Sequence, residues 1–219
     1  MELRGRTAVV TGGASGIGRA LIQRFAREGA NVVVADLDDA GMAAVAGEAQ
    51  ALGVKALAVR TDVADLAQVQ ALAARAFEAF GAVHVLCNNA GVAMWGGLES
   101  ATHRDWQWVL GVNLWGVSET LAKDLKPYRI AVSVLCPLGV QTQIRQSERN
   151  RPAALRNERD ERAAPVELIG RSLAPETVAD MVLAAIHANE LYVITHDESL
   201  EPLRRRFERI ERSILDHRR

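Results

Sequence analysis

Short apolar runs rich in β-branched residues alternate with longer helical patterns along this chain, and no other feature constrains its fold as strongly. Most of the runs are apolar at nearly every position, which is typical of strands buried on both faces of a parallel sheet. The predicted strands are Thr7–Thr11, Asn31–Ala35, Lys55–Arg60, Val83–Asn88, Ile130–Cys136 and Leu191–Thr195. The alternation predicts an α/β fold with right-handed crossovers and a doubly wound, mostly parallel sheet.

The segments between the first four strands have apolar residues at spacings of three and four, as amphipathic helices do. Each segment ends at a glycine, namely Gly29, Gly53 or Gly81, because glycine readily adopts the left-handed conformation that closes a helix. The length of 219 residues, 49% of them hydrophobic, predicts a single domain over residues 1–219. A last helix is predicted over residues 199–216, with an apolar stripe that docks on the body of the protein or on a second subunit.

Charge and cysteine content exclude several classes of protein. The formal net charge of −1 gives no bulk attraction to nucleic acid or to an anionic membrane, so we expect neither as a partner. Cys87 and Cys136 lie within apolar runs, which predicts two buried, reduced thiols. No metal-ligand spacing such as Cys-x-x-Cys occurs, and we expect no metal site. The N-terminal segment lacks signal-peptide features, which predicts a soluble, cytoplasmic protein.

The first predicted strand runs directly into a glycine-rich turn, with Gly12, Gly16 and Gly18 in the sequence TAVVTGGASGIG. Glycines let the backbone approach a pyrophosphate, and the N-terminus of the following helix offers unpaired N–H groups. Asp36 ends the second strand, where a carboxylate can bind a ribose 2′-hydroxyl and would repel a 2′-phosphate. The pattern predicts a dinucleotide site that prefers NAD to NADP. Capping of the next helix is the alternative role of Asp36.

Polar motifs also follow the third and fourth strands. Asp62–Val63 ends the third strand, and Asn88–Gly91 ends the fourth. The carboxyl ends of parallel strands lie at one edge of a sheet, where ligands bind in open α/β folds. The turn, Asp36 and these two motifs are therefore expected to form one site.

With these motifs the chain resembles the short-chain dehydrogenase/reductase family, whose relevant members have a single Rossmann domain. The resemblance covers most of residues 3–195 and rests on TGGASGIG, Asp36, Asp62–Val63, NNAG, CPLGVQT and Asn113 within WQWVLGVNLWG. It implies a Rossmann-like fold and an NAD-dependent oxidoreductase that moves a hydride between nicotinamide and a secondary alcohol or ketone. The cofactor-binding residues that it implies are Gly12, Ser15, Gly16, Ile17, Gly18, Asp36, Asp62, Val63, Asn89, Ala90, Gly91, Val140 and Thr142.

The resemblance also implies a role for each part of this set. The glycine turn would hold the pyrophosphate, Asp36 the adenosine ribose and Asp62–Val63 the adenine. The backbone of Asn89–Gly91 would lie along the cofactor, and Val140 and Thr142 would position the nicotinamide carboxamide. In the family the proline of the last motif is usually followed by glycine, whereas here Leu138 follows it.

The chain departs from the family where catalysis is expected. The family uses a Tyr-x-x-x-Lys pair on a helix, in which the lysine lowers the pKa of the tyrosine, and a serine that polarises the carbonyl. Tyr128 is followed four residues later by Val132, and Tyr192 by His196, so neither forms such a pair. Only Asn113 of the family's catalytic set is found.

A strand–helix unit of roughly 30 residues or more is absent between Val117 and Ser118, where one half-helix runs directly into another. About six strands would remain, with residues 130–136 in the vacant place beside the fourth strand. Two other interpretations of the sequence stay open beside an active oxidoreductase. In these, the chain is either a catalytically silent NAD-binding or oligomerisation module, or an unstable remnant of a deletion. A purified protein heavier than 23.7 kDa would show instead that the unit is present.

The stretch Gln143–Arg162 is polar, with six arginines against four acidic residues. It is interpreted as a solvated loop or short helix, or as part of a lid over residues 143–174. A small-molecule alcohol or carbonyl compound would be the substrate of an active chain, with Trp95 and Leu98 lining its pocket. The resemblance implies a homodimer or homotetramer through helices around residues 106–125, weakened by the missing unit.

Overall fold

The computed structural model describes residues 2–94, 101–113, 132–156 and 170–216. The strands are β1 Thr7–Thr11, β2 Asn31–Asp36, β3 Ala56–Arg60, β4 Val85–Cys87, β5 Val134–Cys136 and β6 Tyr192–Ile194. The α-helices are α1 Gly16–Arg27, α2 Asp39–Ala51, α3 Leu66–Phe80, α4 His103–Asn113, α5 Pro175–Ala188 and α6 Leu200–Asp216. Short 3-10 helices span Gln143–Asn150, Ala153–Leu155 and Asp197–Ser199. Within these ranges, no helix combines the length and the apolar character that crossing a membrane requires.

Four parallel strands form the main sheet in the order β3–β2–β1–β4. At its centre Val9 of β1 lies opposite Val33 of β2 and Leu86 of β4. All five residues of β1 are buried, because β1 has strands on both sides and helices on both faces. The predicted α/β fold with a mostly parallel sheet is confirmed.

Alternate side chains of the central strands pack into two apolar layers. On one face Val10 and Val34 belong to a cluster with residues of α1, α2 and α5, among them Phe25 and Val182. On the other face, residues of β1, β2 and β3 pack against Leu72 and Ala76 of α3. The sheet is therefore a rigid platform whose carboxyl edge carries the motifs singled out from the sequence.

Aspartate side chains and glycines with positive φ fix several ends of the first three helices. Asp38 caps α2 and Asp65 caps α3, each accepting hydrogen bonds from backbone N–H groups of the first turn. Gly29, Gly53 and Gly81, the glycines predicted to close the first three helices, all have positive φ. These ends fix where each helix begins and stops relative to the sheet.

β5 does not pair with β4, so the placement of residues 130–136 beside the fourth strand is wrong for the described residues, 132–136. β5 pairs with β6 in a separate two-stranded parallel sheet. The Val134 N–H donates to the carbonyl of Leu191, the residue before β6, and this bond adds to the pairing of β5 with β6. Leu86 on β4 is 59% exposed, and no described strand lies on the outer side of β4. The junction of Val117 and Ser118 lies outside the described residues.

The two cysteines are free, but the expectation of two buried thiols is wrong for Cys136, which is exposed. In the described part of the chain β5 has a partner strand on one side only, which leaves Cys136 uncovered. Cys87 on β4 is partly buried, and its loss of hydration raises the pKa of the thiol to about 12.

Candidate functional site

The turn between β1 and α1 requires glycine for its backbone shape. Gly12 and Gly16 have φ values of 65° and 54°, a region that glycine adopts without strain. A Cβ atom on Gly18 would lie 2.1 Å from the carbonyl oxygen of Gly12. The start of α1 therefore packs directly on the turn, and the turn presents bare backbone to the cleft above it.

The N-terminus of α1 is open to an anionic ligand. Ser15, the N-cap residue, makes no side-chain capping bond to the described chain, and the first turn holds no acidic residue. The first N–H groups of a helix lack intrahelical partners and carry the positive end of the helix dipole. The turn and the helix start together fit a pyrophosphate.

The Asp36 carboxylate is fixed beside this turn. Its Oδ2 accepts a hydrogen bond from the Ala14 N–H at 3.0 Å, and its Oδ1 accepts one from the Leu37 N–H at 2.7 Å. An ionised carboxylate has further lone pairs, so Asp36 can also accept a bond from a ligand. Asp38 caps α2 through a 3.0 Å bond from the Gly41 N–H, so the alternative role of Asp36 as that cap is excluded.

Hydrogen bonds to Thr11 tie the end of β4 to the glycine turn. The Thr11 hydroxyl accepts the N–H groups of Asn89 and Ala90, each at 3.0 Å. The side-chain amide of Asn89 donates to the carbonyl of Thr11 at 2.9 Å. These bonds hold the Asn89–Gly91 backbone along the edge of the cleft.

Asn113 uses both ends of its amide on the backbone after β4. Its Nδ2 donates to the Val92 carbonyl at 2.9 Å, and its Oδ1 accepts the Val92 N–H at 3.0 Å. The pair of bonds anchors the segment after Gly91 to the end of α4. Asn113 therefore has a positional role in this structure.

A cleft of about 200 Å³ at the carboxyl edge of the sheet brings most of the predicted site residues together. Those in its wall are Gly12, Ser15, Gly16, Ile17, Asp36, Asp62, Val63, Asn89, Ala90, Gly91 and Thr142. Three predicted residues are not in the described wall. Gly18 lies within α1, Asn113 lines a separate apolar cavity of about 540 Å³, and Val140 forms a bridge with Leu173.

The polar segment after β5 completes the wall of the cleft. The lining residues that it supplies are Gln143, Ile144, Ser147, Arg149, Asn150, Pro152 and Leu155. The Ala93 N–H donates to the Ser147 hydroxyl at 3.3 Å, which fastens the segment to the chain after β4. Residues 157–169 of the predicted lid lie outside the described part of the chain, as do Trp95 and Leu98.

A buried ion pair, which sequence reasoning missed, holds this segment against α4. Arg151 donates to Asp105 at 2.5 Å, and each side chain is 3% exposed. The guanidinium also lies 4.8 Å from the centre of the Trp108 ring. The sequence predicts a solvated stretch around Arg151. The signal that could have revealed its partner is the spacing of Asp105 and Trp108, three residues apart on one face of α4.

No tyrosine, lysine, histidine or cysteine occurs among the described residues of the cleft wall. Tyr192 lies in β6, and His103 is exposed at the start of α4. Tyr128 and Lys123 lie outside the described residues. In the part of the chain that the structure describes, no cluster of three histidine, cysteine or acidic residues could hold a metal ion.

A glycine turn after the first strand, a carboxylate after the second and a cleft at the carboxyl edge of a parallel sheet define a Rossmann-type protein of the nicotinamide-dinucleotide-binding class. A family model described as short chain dehydrogenase matches residues 6–121. The chain belongs to the short-chain dehydrogenase/reductase family of oxidoreductases.

Individual relatives agree with this assignment. A crystal structure of a short-chain dehydrogenase/reductase from Burkholderia phymatum in complex with NAD has a TM-score of 0.88 and 34% identity, covering 97% of this chain and 96% of that one. The 2,5-dichloro-2,5-cyclohexadiene-1,4-diol dehydrogenase LinX of Sphingobium indicum is 43% identical over 112 residues, 51% of this chain and 45% of that enzyme. The matched part thus spans less than half of LinX. A C alpha-dehydrogenase of a Sphingobium species is 28% identical over 268 residues, 97% of this chain and 88% of that enzyme.

Proposed function

We propose that the chain binds a nicotinamide dinucleotide in this cleft and prefers NAD to NADP. The observation that carries the proposal is the Asp36 carboxylate, fixed beside the glycine turn by the N–H groups of Ala14 and Leu37. There it can accept a hydrogen bond from the ribose 2′-hydroxyl, and its charge opposes a 2′-phosphate. The open N-terminus of α1 supports a pyrophosphate at the turn. The NAD bound to the Burkholderia relative supports the same cofactor.

The remaining assignments of the proposal are those that the family resemblance implies. Gly12–Gly18 hold the pyrophosphate, Asp62–Val63 contact the adenine, and the Asn89–Gly91 backbone runs beside the cofactor. Val140 and Thr142 position the nicotinamide carboxamide. The placement of Thr142 in the cleft wall supports this last assignment.

Calorimetric titration of the purified, mass-checked chain with NADH and NADPH tests the cofactor proposal. We expect NADH to bind at least about tenfold more tightly, since one charge-assisted hydrogen bond gained and one repulsion avoided together exceed 1.4 kcal/mol. In Asp36→Asn the ratio of the NADPH dissociation constant to the NADH dissociation constant should fall to near unity. Asp39→Asn removes a charge three residues away, outside the described cleft wall, and should leave the ratio unchanged. Absence of binding by the folded chain would overturn the proposal.

Hydride transfer between the nicotinamide and a secondary alcohol or ketone is the activity that family membership suggests. A silent NAD-binding module is the second candidate, favoured by the lack of a tyrosine, lysine, histidine or cysteine in the described wall and by the hydrogen bonds of Asn113 to Val92. Loss of an acid–base group costs about 10²–10⁴-fold in rate. The C alpha-dehydrogenase alignment, which at 268 residues exceeds the 219 of this chain, supports an absent internal segment.

A turnover assay separates these two candidates. The chain is saturated with NADH or NAD and offered a panel of small ketones and secondary alcohols, while the NADH absorbance is followed. The silent module predicts tight cofactor binding without oxidation or reduction. Steady turnover that disappears in Asp36→Arg, a variant that cannot bind NAD in the same way, would establish the oxidoreductase.

We also propose a homo-oligomer in which α6 pairs with α6 of a second copy. No residue of α6 is buried in the described structure, and its apolar stripe is Leu200, Leu203, Phe207, Ile210 and Ile214. The last four of these residues are spaced by four, three and four positions, a spacing that reads the same in both directions. An antiparallel two-fold pair therefore sets Phe207 against Ile210, and Leu203 against Ile214. The flanking Arg204 and Glu211 then face each other with opposite charges, twice per pair.

A further inference from the structure

His196 is a buried histidine that lies where three segments of the chain meet. It follows β6 and is 1% exposed. Its ring touches residues 138–139, which follow β5, and residue 171, which precedes α5. The described wall of the cleft does not include it. Its hydrogen bonds therefore serve the arrangement of these segments.

Both ring nitrogens of His196 bond to backbone. Nδ1 lies 3.4 Å from the Leu138 nitrogen, and Nε2 lies 3.1 Å from each of the carbonyl oxygens of Gly139 and Arg171. The Leu138 N–H can only donate, so Nδ1 accepts, and the proton on Nε2 is shared between the two carbonyls. The Thr195 hydroxyl lies 2.6 Å from Nδ1 and shares the single lone pair of that nitrogen with the Leu138 N–H. The ring thus holds two backbone segments together, residues 138–139 and residue 171.

The segment that His196 holds leads into the cleft. The Leu173 N–H donates to the carbonyl of Gly139, and the Gln141 N–H donates to the carbonyl of Leu173, both at 2.9 Å. One residue further on, Thr142 lines the cleft, and its hydroxyl caps the 3-10 helix that begins at Gln143. A substitution of His196 should therefore affect the wall of the cleft through residues 139–142, a short strip that is hydrogen-bonded to Leu173.

We infer that His196 is a positioning residue for the nicotinamide half of the cofactor. The ring fixes residues 137–142, so that Val140 and Thr142 meet the carboxamide in one orientation. This inference rests on the proposed cofactor site. It gives His196 no part in proton transfer, because both of its nitrogens are already bonded and the ring lies behind the cleft wall.

Two substitutions separate the hydrogen bonds of His196 from its volume. His196→Phe fills the space with a ring of similar shape but makes neither bond to the 137–142 segment. His196→Gln keeps an N–H donor for the carbonyls on the Nε2 side. A matched control is His84→Phe. His84 also accepts a backbone hydrogen bond, from the Thr7 N–H at 3.1 Å, but at the start of β1, away from the carboxyl edge.

The readout is the dissociation constant for NADH beside that for ADP-ribose, which lacks the nicotinamide. Far-ultraviolet circular dichroism first shows that each variant is folded. We expect His196→Phe to weaken NADH binding about tenfold, the equivalent of one or two backbone hydrogen bonds, while ADP-ribose binding changes less than about twofold. His196→Gln should recover part of the NADH affinity. His84→Phe should leave both constants unchanged.

Other outcomes overturn the inference in distinguishable ways. Equal loss of NADH and ADP-ribose affinity in folded His196→Phe would show a general structural role. Unchanged NADH affinity would show that the strip is fixed without the ring. If the wild-type chain binds ADP-ribose and NADH equally, the nicotinamide half has no site, although the cofactor proposal survives. If the wild-type chain binds neither, the cofactor proposal fails as well.

Discussion

Polar side chains at the carboxyl edge of the sheet divide between those that hold the backbone and those that face the cleft. Thr11, Asn89 and Asn113 use their donors and acceptors on the backbone around the cleft. Asp36 also bonds to backbone, but its carboxylate retains acceptor capacity toward a ligand. The distinction explains why substitutions along the same edge of the sheet should affect stability in one case and cofactor choice in the other.

Replacement of Arg151 tests the buried ion pair. Arg151→Met leaves the Asp105 carboxylate buried without the guanidinium, and we expect the free energy of unfolding to fall by about 3–5 kcal/mol. Urea denaturation measures this change. The exposed pair of Arg19 and Glu48 is the control: Arg19→Met should cost no more than about 1 kcal/mol.

A second variant separates the charge of Asp105 from its packing. Arg151→Met combined with Asp105→Asn removes both charges, so part of the lost stability should return. Equal stability of wild type and Arg151→Met would contradict the role assigned to the pair.

The two cysteines should differ in reactivity with a thiol reagent. The pKa of Cys87 is raised to about 12 by burial, so almost no thiolate forms there at about pH 8. Cys136 is exposed and should react first. Counting modified thiols by mass spectrometry should give one adduct in the native chain and two after unfolding. Cys136→Ser should abolish the native adduct, and rapid native labelling of that variant would contradict the assignment.

At the scale of elements, the central strand β1 could be predicted from the sequence, whereas the lengths and pairing of the outer strands β4, β5 and β6 could not. β1 has the predicted bounds, because both of its neighbours and both of its faces are provided by the chain. β4 and β6 are shorter than their apolar runs, since each has a described partner on one side only. The pairing of β5 was mispredicted because an apolar run shows that a strand exists but does not show which neighbour it takes.

The candidate site shows the same division. The turn and Asp36 are local signals, since each lies at the end of its own strand, and the structure places them in one cleft. The contribution of Ser147 and Arg151 depends on contacts with Ala93 and Asp105, far away in the sequence. No spacing within the polar stretch encodes those contacts, so the stretch by itself could not assign them, and the signal for Arg151 lies instead in the spacing of Asp105 and Trp108 on α4.

The cap of α3 gives a pH-dependent contribution to stability. Bonds from the Gln68 side chain and from the N–H groups of Ala67 and Gln68 lower the pKa of Asp65 below its ordinary 3.8. A depressed carboxyl pKa stabilises the fold above the unfolded-state value, and that stability is lost as the pH falls through the lowered pKa. The free energy of unfolding should therefore fall more steeply in wild type than in Asp65→Asn below about pH 4. Parallel curves for the two chains would contradict the assignment.

At the scale of the whole molecule, the half that faces the adenosine end of the proposed cofactor is a continuous sheet, whereas the described residues of the other half include a separate two-stranded sheet. β5 and β6 form their own sheet, and an apolar cavity of about 540 Å³ lies beside β4 and α3. The side of the cleft that would take the adenosine can therefore be complete whether or not the chain has the family's tyrosine, lysine and serine. Cofactor binding by this chain would therefore not by itself establish turnover.

The apolar stripe of α6 sets the last prediction, which concerns assembly. Phe207 is 65% exposed, and Phe207→Glu would place a charge in the centre of the proposed antiparallel pair. We expect sedimentation velocity to show weaker self-association in this variant at every concentration. Wild-type chains that sediment as monomers throughout would contradict α6 pairing.

Charge reversal tests the orientation of that pair. Arg204→Glu or Glu211→Arg sets like charges against each other twice, which should raise the dimer dissociation constant roughly threefold to tenfold. Combining both reversals restores opposite charges and should restore the affinity. Arg212→Glu makes the same change in net charge as Arg204→Glu, but at a position that faces away from the pair, so it should have little effect. Recovery in the double variant is specific to the antiparallel arrangement. A parallel pair would set Arg204 beside Ser199 and Glu211 beside Arg206 of the other copy, so the swap would restore no ion pair.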